Sequence, residues 1–254
     1  MPLRPRRTRP RPESTTLPFR GLFIGAGLLA CGCLAVALGA HWYGGALRLA
    51  GQSEQRVPLD ILIGDDHLRL PANMIRFEDQ RRAGMAERVD LYLAWPELEG
   101  YSAALRSRFD APDDQGRLIF VQLSQSTMSR DMSGRVEPIY RHLLEGPARP
   151  GPAGLTAQTL KKTSGFGEDV LLTGTDADGA LYAVRCALPA APGKTTNADC
   201  QRDVHVGRDL TMLYRFSSQL LPQWQAIDAG LRRFVSASLI SDMSQNDSGD
   251  ALRP

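Results

Sequence analysis

The sequence predicts an α+β protein in which one N-terminal transmembrane helix is followed by a mainly antiparallel sheet domain, covered by a C-terminal amphipathic helix. Three observations lead to this prediction. An uncharged apolar run fills residues 21–40, apolar and polar residues alternate through much of the following chain, and helical spacing returns in residues 220–235. The 254 residues leave room for one ordinary domain beyond the anchor.

Charge divides the chain into two parts. Residues 1–48 contain seven Arg and one acidic residue, whereas the remainder carries 23 basic and 27 acidic residues, a net charge of −4. A mildly acidic domain lacks the dense basic surface that nucleic acids require, so no nucleic-acid partner is expected. The Arg- and Pro-rich residues 1–20 are expected to form a disordered tail.

The apolar run has the length of a membrane span. As a helix it would extend about 30 Å, which matches the hydrocarbon thickness of a lipid bilayer. Trp42 and Tyr43 follow where interfacial aromatic residues occur, so the anchor is placed at residues 21–43. Because six Arg precede it, the positive-inside rule predicts a single-pass protein of a bacterial inner membrane, with a cytoplasmic N-terminus and a periplasmic domain.

Three alternatives to an uncleaved anchor remain open. A signal peptidase site could lie near residues 35–37, and residues 28–31 are similar to a lipid-attachment motif. Export by the twin-arginine route could start from Arg6 and Arg7, although no apolar pair follows in the usual place. Apolar sequence continues beyond the first two sites, which favours the anchor.

Small residues form one stripe along the predicted anchor. At about 100° per residue, one side of the helix holds Gly21, Gly25, Gly32, Ala35 and Gly39. Such stripes let membrane helices approach closely, so self-association or packing against an envelope protein is expected. The alternative is that Gly and Ala are simply frequent in such spans.

After a linker at residues 44–57, the displayed domain is expected to span residues 58–241, and a disordered tail to fill residues 242–254. Alternating apolar residues predict strands at 60–64, 68–70, 89–95, 117–123, 169–175, 180–188, 203–207 and 210–216. Residues 176–179 give a strong hairpin signal between two of these strands.

Two helices are predicted in the domain. The C-terminal one begins near Ser217 or Ser218, has Pro222 in its first turn, and presents one apolar face made of Leu220, Trp224, Ile227, Leu231, Phe234 and Val235. A second helix is expected around residues 132–145. The Gly- and Pro-rich residues 146–154 are expected to form a loop and a subdomain boundary.

Cys186 and Cys200 point to the apolar side of neighbouring predicted strands. Because the domain is expected outside the cytoplasm, they are predicted to form a structural disulfide worth about 3 kcal/mol in the chain-entropy model. The alternative is two buried free thiols. Cys31 and Cys33 lie in the anchor and are expected to be packing residues.

Two acidic clusters could donate metal ligands, Asp-Asp-His at residues 65–67 and the pair Asp176 and Asp178. Each lies between predicted strands, where Asp favours a turn for conformational reasons. The further ligands of a closed zinc or calcium site are missing. No metal and no cofactor are therefore expected.

Residues 126–135 place Ser, Asp and Arg close together after a central strand. There is no nucleophile elbow, and no His is positioned by sequence as a base, so a capped helix start explains these residues as well. A hydrolase that uses Ser126, Asp131 or His67 is the second function hypothesis. A non-catalytic protein is the first.

The most densely charged stretch is residues 73–88. Its Arg76, Arg81 and Arg82 could hold a carboxylate, a phosphate or an acidic partner surface, and Trp95 could anchor an interface. A solvated face is the simpler explanation of the charges, and core packing would explain Trp95 equally well.

The segments PANMIRF, RVDLYLAWPELEGYS and SRDMSGRVEPIYRHLL resemble those of an uncharacterised family of bacterial single-pass, membrane-anchored envelope proteins. The resemblance covers most of the displayed domain and implies this topology without implying an activity. We therefore expect a non-catalytic, membrane-tethered periplasmic module that binds another envelope component. A membrane-anchored periplasmic hydrolase and an anion-sensing domain are the alternatives.

Overall fold

The computed structural model describes residues 24–25, 27–34, 36, 51–110, 117–189 and 195–240. The chain divides into two compact units, residues 1–50 and residues 51–254. In the first unit the described residues are helical and exposed. Across the described part of the chain, no helix combines the length and the apolar character needed to cross a membrane.

Several predictions concern residues outside the described ranges. These are the tails at 1–20 and 242–254, the first half of the linker at 44–50, and the stripe residues Gly21, Ala35 and Gly39. Gly25 and Gly32 lie in the described helix, and, apart from the adjoining backbone of that helix, no described atom comes within 4 Å of the position that a Cβ would take on either residue. The anchor and its packing stripe stay predictions.

The described residues of the second unit form eleven strands. In chain order they are β1 (Pro58–Ile63), β2 (Asp66–Pro71), β3 (Gly84–Met85), β4 (Arg88–Ala94), β5 (Leu118–Gln125), β6 (Leu144–Pro150), β7 (Thr156–Leu160), β8 (Val170–Thr175), β9 (Leu181–Cys186), β10 (Cys200–Val206) and β11 (Leu210–Phe216). Alternating apolar residues account for most of them, because one side of each strand is buried.

The strands form two sheets. The small sheet has the order β2-β1-β3, and the large sheet has the order β4-β5-β11-β10-β9-β8-β7-β6. All neighbouring pairs are antiparallel except β1 and the very short β3. The predicted α+β fold with a mainly antiparallel sheet and a C-terminal helix is confirmed.

The large sheet has a seam between β9 and β10. These strands pair only at Cys186 with Cys200 and at Arg185 with Gln201, whereas β10 and β11 pair along their whole length. The predicted disulfide is confirmed, and it joins the two directly opposed cysteines of the seam. It therefore ties the β4-β5-β11-β10 half of the sheet to the β9-β8-β7-β6 half.

Three helices are described in this unit, α1 (Arg106–Asp110), α2 (Arg141–Leu143) and α3 (Trp224–Ser238). A 3-10 turn at Ser218–Gln223 leads into α3, and the Ser217 side chain caps that turn by accepting from the Gln219 amide. The apolar side of α3 and the small sheet share one continuous core with the inner face of the large sheet.

A second, smaller core lies on the outer face of the large sheet, over β7, β8 and β9. Met132 and Tyr140 pack there against Leu160, Leu171 and Ala183. We call this part the covered region. The outward side chains of β4, β5 and β11 instead surround a cavity that opens to solvent, and we call that part the open region.

The structure corrects two predictions for residues 132–154. The second helix is a broken series made of a 3-10 turn at Ser133–Arg135, a π turn at Val136–Tyr140 and the short α2. The expected loop is mostly strand β6, which pairs with β7 around a bulge. Proline is tolerated in β6 because an edge strand needs backbone donors on one side only.

Candidate functional site

Outward side chains of three adjacent strands form two rows across the open region. Residues directly opposite one another on the antiparallel strands form each row. The first row is Tyr92, Phe120 and Arg215, and the second is Asp90, Gln122 and Leu213. The alternate residues of the same strands are buried in the main core. The first row continues across the seam through Gln201 to Arg185.

Arg76 lies over the first row. Its backbone amide donates to the Asp90 carbonyl at 2.8 Å, which fixes this residue to the free edge of β4. Its guanidinium carbon lies 5.0 Å from the ring centroid of Phe120, 5.8 Å from that of Tyr92 and 4.9 Å from that of Phe77. The rings hold the flat guanidinium by cation–π attraction and leave its N–H groups available as donors.

A cavity of about 130 Å³ lies beside this stack, lined among others by Arg76, Phe120, Gln122, Leu213 and Arg215. The volume suits a short polar side chain or about four water molecules. Among the described residues, the guanidinium groups of Arg76 and Arg215 have no carboxylate within ion-pair distance. The cavity therefore presents two cationic donors against an aromatic wall.

Asp90 is the acidic residue of the cavity lining, and its charge is already compensated. Its carboxylate accepts from the Gln80 side-chain amide at 2.8 Å and lies 3.2 Å from the Arg88 guanidinium. Burial raises the pKa of the Tyr92 hydroxyl, with Arg76 opposing that shift. The electrostatic character of the cavity is thus set by its two arginines.

Arg81 positions the segment that carries Arg76. Its guanidinium donates to the backbone carbonyls of Ile75 at 2.9 Å, Arg76 at 3.0 Å and Gly51 at 2.5 Å. Burial lowers the pKa of Arg81, with Glu78 opposing that shift. Because its donors are used within the chain, Arg81 supports the site and does not form part of the cavity.

The other two predicted binding residues lie elsewhere. Arg82 is exposed on the same loop and is not part of the cavity lining. Trp95 is buried, and its indole N–H donates to the Gln223 side chain at 2.8 Å. The indole ring packs beside Gly230 of α3. Of the four residues predicted to bind an anion or a partner, the structure places Arg76 alone at the cavity.

A buried polar network crosses the seam on the inner side of the sheet. Arg202 donates to the Asp228 carboxylate at 2.9 Å, to the Ala183 carbonyl at 2.8 Å and to the Ser133 hydroxyl at 2.6 Å. The Tyr214 hydroxyl donates to the same carboxylate at 2.7 Å. Arg202 thus occupies the gap where β9 and β10 stop pairing, and the network joins α3 to both halves of the sheet.

Two of the candidate metal ligands, Asp66 and Asp176, have structural roles. Asp66 is buried, and its carboxylate accepts from the backbone amides of Arg208 and Asp209 at 2.7–3.1 Å. A Cβ on Gly207 would lie 2.4 Å from that carboxylate, so the turn requires glycine. Asp176 caps its own hairpin turn. No cluster of His, Cys, Asp and Glu that could hold a metal ion occurs among the described residues.

Ser126, a candidate nucleophile, meets a histidine that the sequence did not suggest. Its hydroxyl lies 3.0 Å from His205 Nε2 and accepts from the Thr211 hydroxyl at 3.1 Å. The backbone amide of Ser126 donates to the Asp209 carbonyl and is not available to an oxyanion. Asp131 accepts from a backbone amide within its own turn, and His67 lies in β2 of the small sheet, near Asp60 and Met85.

Sequence reasoning missed Phe120, Gln122, Leu213 and Arg215 in the cavity lining, and Tyr92 in the stack under Arg76. Each occupies an outward position of a strand whose alternate residues are apolar, so strand parity predicts its direction. The alternation of side-chain direction along a strand does not predict the strand order β4-β5-β11. That order brings residues 92, 120 and 215 side by side. That order depends on long-range pairing.

Comparison with known proteins gives two distant structural likenesses. Smlt3025, an immunity protein of the Stenotrophomonas maltophilia type IV secretion system, matches with a TM-score of 0.48 and 16% identity. FrpD, an iron-regulated outer membrane lipoprotein of Neisseria meningitidis, matches with a TM-score of 0.45 and 8% identity. Each match covers 74% of this chain and 95% of the other. No family model and no curated protein match the chain, and neither structural likeness assigns it an activity.

Proposed function

We propose that this protein is a non-catalytic, membrane-tethered periplasmic module that binds another protein of the cell envelope through the open region. The observation that carries the proposal is the aromatic-backed cavity with two arginines that lack a carboxylate partner among the described residues. Arginine and tyrosine in partly enclosed pockets are the residue types that most often dominate protein–protein binding energy.

The compartment in this proposal rests on the charge asymmetry and apolar run of residues 1–48 and on the disulfide. A disulfide between Cys186 and Cys200 persists in an oxidising environment, which supports a periplasmic domain. The inner-membrane anchor at residues 21–43, with the lipid bilayer as its partner, and self-association through its Gly stripe remain parts of the proposal that need their own tests.

The hydrolase hypothesis has one observation in its favour, the contact between Ser126 and His205. It lacks the other parts of an acyl-transfer site. No carboxylate contacts His205 within the described residues, and the serine amide is used by Asp209. We expect purified full-length protein and its Ser126→Ala variant to show the same background turnover of ester, peptide and glycan substrates. Turnover that the variant loses would restore this hypothesis.

Site-specific photocrosslinking tests the binding function. A photoreactive amino acid is placed at Gln122 in the open region or at Phe77, whose ring contacts Arg76 beside that region, and at Arg233 on the exposed side of α3 as a matched control. Irradiation of intact cells of the source organism should give a discrete adduct from the first two positions only. The crosslinked protein, identified by mass spectrometry and purified, should then bind the full chain in detergent micelles. Adducts with the bait alone, or equal adducts from Arg233, would contradict the proposal.

A further inference from the structure

Three arginines in or beside the large sheet stack on aromatic rings, and two of them are neutralised by a carboxylate. Arg202 lies 4.5 Å over Tyr182, and its Nε is 2.9 Å from Asp228. Arg185 lies 4.1 Å over Phe166, with its Nε 2.9 Å from Asp169, although that N–H is not well aligned for a hydrogen bond. Arg76 is the third, and no carboxylate of the described residues pairs with it.

Arg185 and the Arg76 cavity belong to the same surface. Arg185 shares the outer face and the same cross-strand row with Arg215, separated from it only by Gln201. In the covered region the chain therefore supplies both the aromatic ring and the acid to a stacked arginine. In the open region it supplies the ring and a second guanidinium, and leaves a cavity where an acid could enter.

We propose that the open cavity binds the carboxylate of an aspartate or glutamate side chain from a protein partner, between the Arg76 and Arg215 guanidinium groups. This inference rests on the proposed function and specifies the chemistry of its partner. The partner carboxylate takes the place at Arg76 that Asp169 takes at Arg185. A guanidinium held among aromatic rings keeps its N–H groups for other acceptors, and a planar carboxylate can accept two parallel hydrogen bonds from them.

The cavity favours a carboxylate over a more highly charged anion. Gln80 and the exposed Arg88 compensate much of the Asp90 charge, but its carboxylate still contributes to the lining and disfavours a dianion more than a single carboxylate. The volume of about 130 Å³ admits one short side chain, and Phe120 and Leu213 can pack against its methylene groups. The segment is already held in place, since Arg81 fixes the backbone carbonyls of Ile75 and Arg76. Little ordering cost therefore opposes binding.

The test uses the full-length protein in detergent micelles with ¹⁵N-labelled arginine. The probes are N-acetyl-glutamate N-methylamide and its glutamine analogue, which differs only in charge. The Nε–H signals of Arg76 and Arg215, assigned from their Gln variants, should shift with the glutamate probe, and the glutamine probe should bind about tenfold more weakly or worse. Arg76→Gln should weaken binding of the glutamate probe at least about fivefold, whereas Arg233→Gln should leave it unchanged.

Four outcomes would overturn this proposal. The first is equal binding of the two probes, and the second is that the Arg76→Gln protein, with unchanged circular dichroism, binds the glutamate probe as tightly as the unmodified protein does. The third is tighter binding of inorganic phosphate than of the glutamate probe. The fourth is a several-fold higher affinity of the Asp113→Asn/Asp114→Asn protein for the glutamate probe. The last outcome would mean that the chain's own acidic residues occupy the cavity. None of these outcomes affects the crosslinking result, so the carboxylate pocket can fail while the binding function stands.

Discussion

In the covered region, the outward residues of β8 and β9 include Leu171 and Ala183, and the chain folds Met132 and Tyr140 over them. In the open region, the outward residues of the two rows are aromatic or polar except for Leu213, and a solvent-accessible cavity lies among them. One sheet face thus has two kinds of surface. The difference shows that the chain buries its own apolar outward residues and leaves an arginine-rich aromatic surface for a partner.

The largest expected effect comes from the fully buried member of the three stacked arginines. Asp228→Ala removes the carboxylate that neutralises Arg202 and leaves a buried unpaired charge, which should cost about 3–5 kcal/mol of the free energy of unfolding. Urea denaturation of the full chain in micelles, followed by tryptophan fluorescence, measures the loss. A loss under about 1 kcal/mol would mean that water reaches Arg202 and that the network is not a closed one.

The same carboxylate predicts a pH dependence. Burial alone would raise the pKa of Asp228, but Arg202, Tyr214 and Arg232 outweigh burial and hold that pKa below its ordinary 3.8. A lowered folded-state pKa contributes stability above the unfolded-state pKa, and the contribution is lost as the pH falls through the folded-state value. The free energy of unfolding should therefore decline below about pH 4, and Asp228→Ala should remove part of that decline. An identical acid profile in the variant would assign the decline to other groups.

Removing the disulfide tests how far it stabilises the seam between β9 and β10. Cys186→Ala/Cys200→Ala should lower the free energy of unfolding by about 3 kcal/mol, because the crosslink closes a loop of this length in the unfolded chain. Cys31→Ala/Cys33→Ala is the matched control and should leave the urea midpoint unchanged. Hydrogen exchange should rise first in β9 and β10, since few backbone bonds join them. Unchanged exchange at those strands would show that Arg202 alone holds the seam.

The packing of the two regions can be compared directly by replacing one outward leucine in each. Leu171→Ala creates a cavity in the second core and should cost at least about 2 kcal/mol. Leu213→Ala removes a half-buried side chain from the open region and should cost less than about 1 kcal/mol. Paired urea titrations of the two variants measure the difference. Equal losses would mean that the open region is packed as tightly as the covered one.

The smallest expected effects on stability come from the ion pair of Arg185 and from Arg76, the two stacked arginines on the outer face. Asp169→Asn should cost about 1 kcal/mol because the Arg185 pair is partly shielded from solvent. Arg76→Gln should change the free energy of unfolding by less than about 0.5 kcal/mol, since no internal ion pair is lost. A loss from Arg76→Gln that matches Asp169→Asn would indicate that Arg76 serves stability and has an internal partner.

Local patterns predicted the parts of this fold that depend on strand alternation. They placed most strands within a few residues, the α3 helix and its apolar face, and the opposed cysteines Cys186 and Cys200. They failed at β6. Pro147 and Pro150 led to the prediction of a loop, because proline does not fit a central strand, but proline is tolerated in an edge strand such as β6. Edge position is a property of the assembled sheet, so no local pattern reveals it.

The candidate site was predicted only through Arg76. Arg81 and Trp95 have the same sequence character as binding residues, but tertiary contacts with Gly51 and Gln223 use donors of each within the fold. Asp66 has the sequence context of a turn residue, yet its partners are Arg208 and Asp209, far along the chain. These distant contacts determine which polar groups remain available to a ligand. They cannot be predicted from local patterns in a single sequence.

Arginine-specific modification tests most directly whether the open region is the binding surface. Phenylglyoxal is applied to the purified full chain and to native envelopes, and modified arginines are quantified by mass spectrometry. We expect Arg76 and Arg215 to react quickly in the purified protein and to be protected in envelopes, while the exposed Arg233 reacts in both and Arg185 and Arg202 react in neither. An Arg76 that is as unreactive as Arg185 in the purified chain, or as reactive in envelopes as Arg233, would contradict the account.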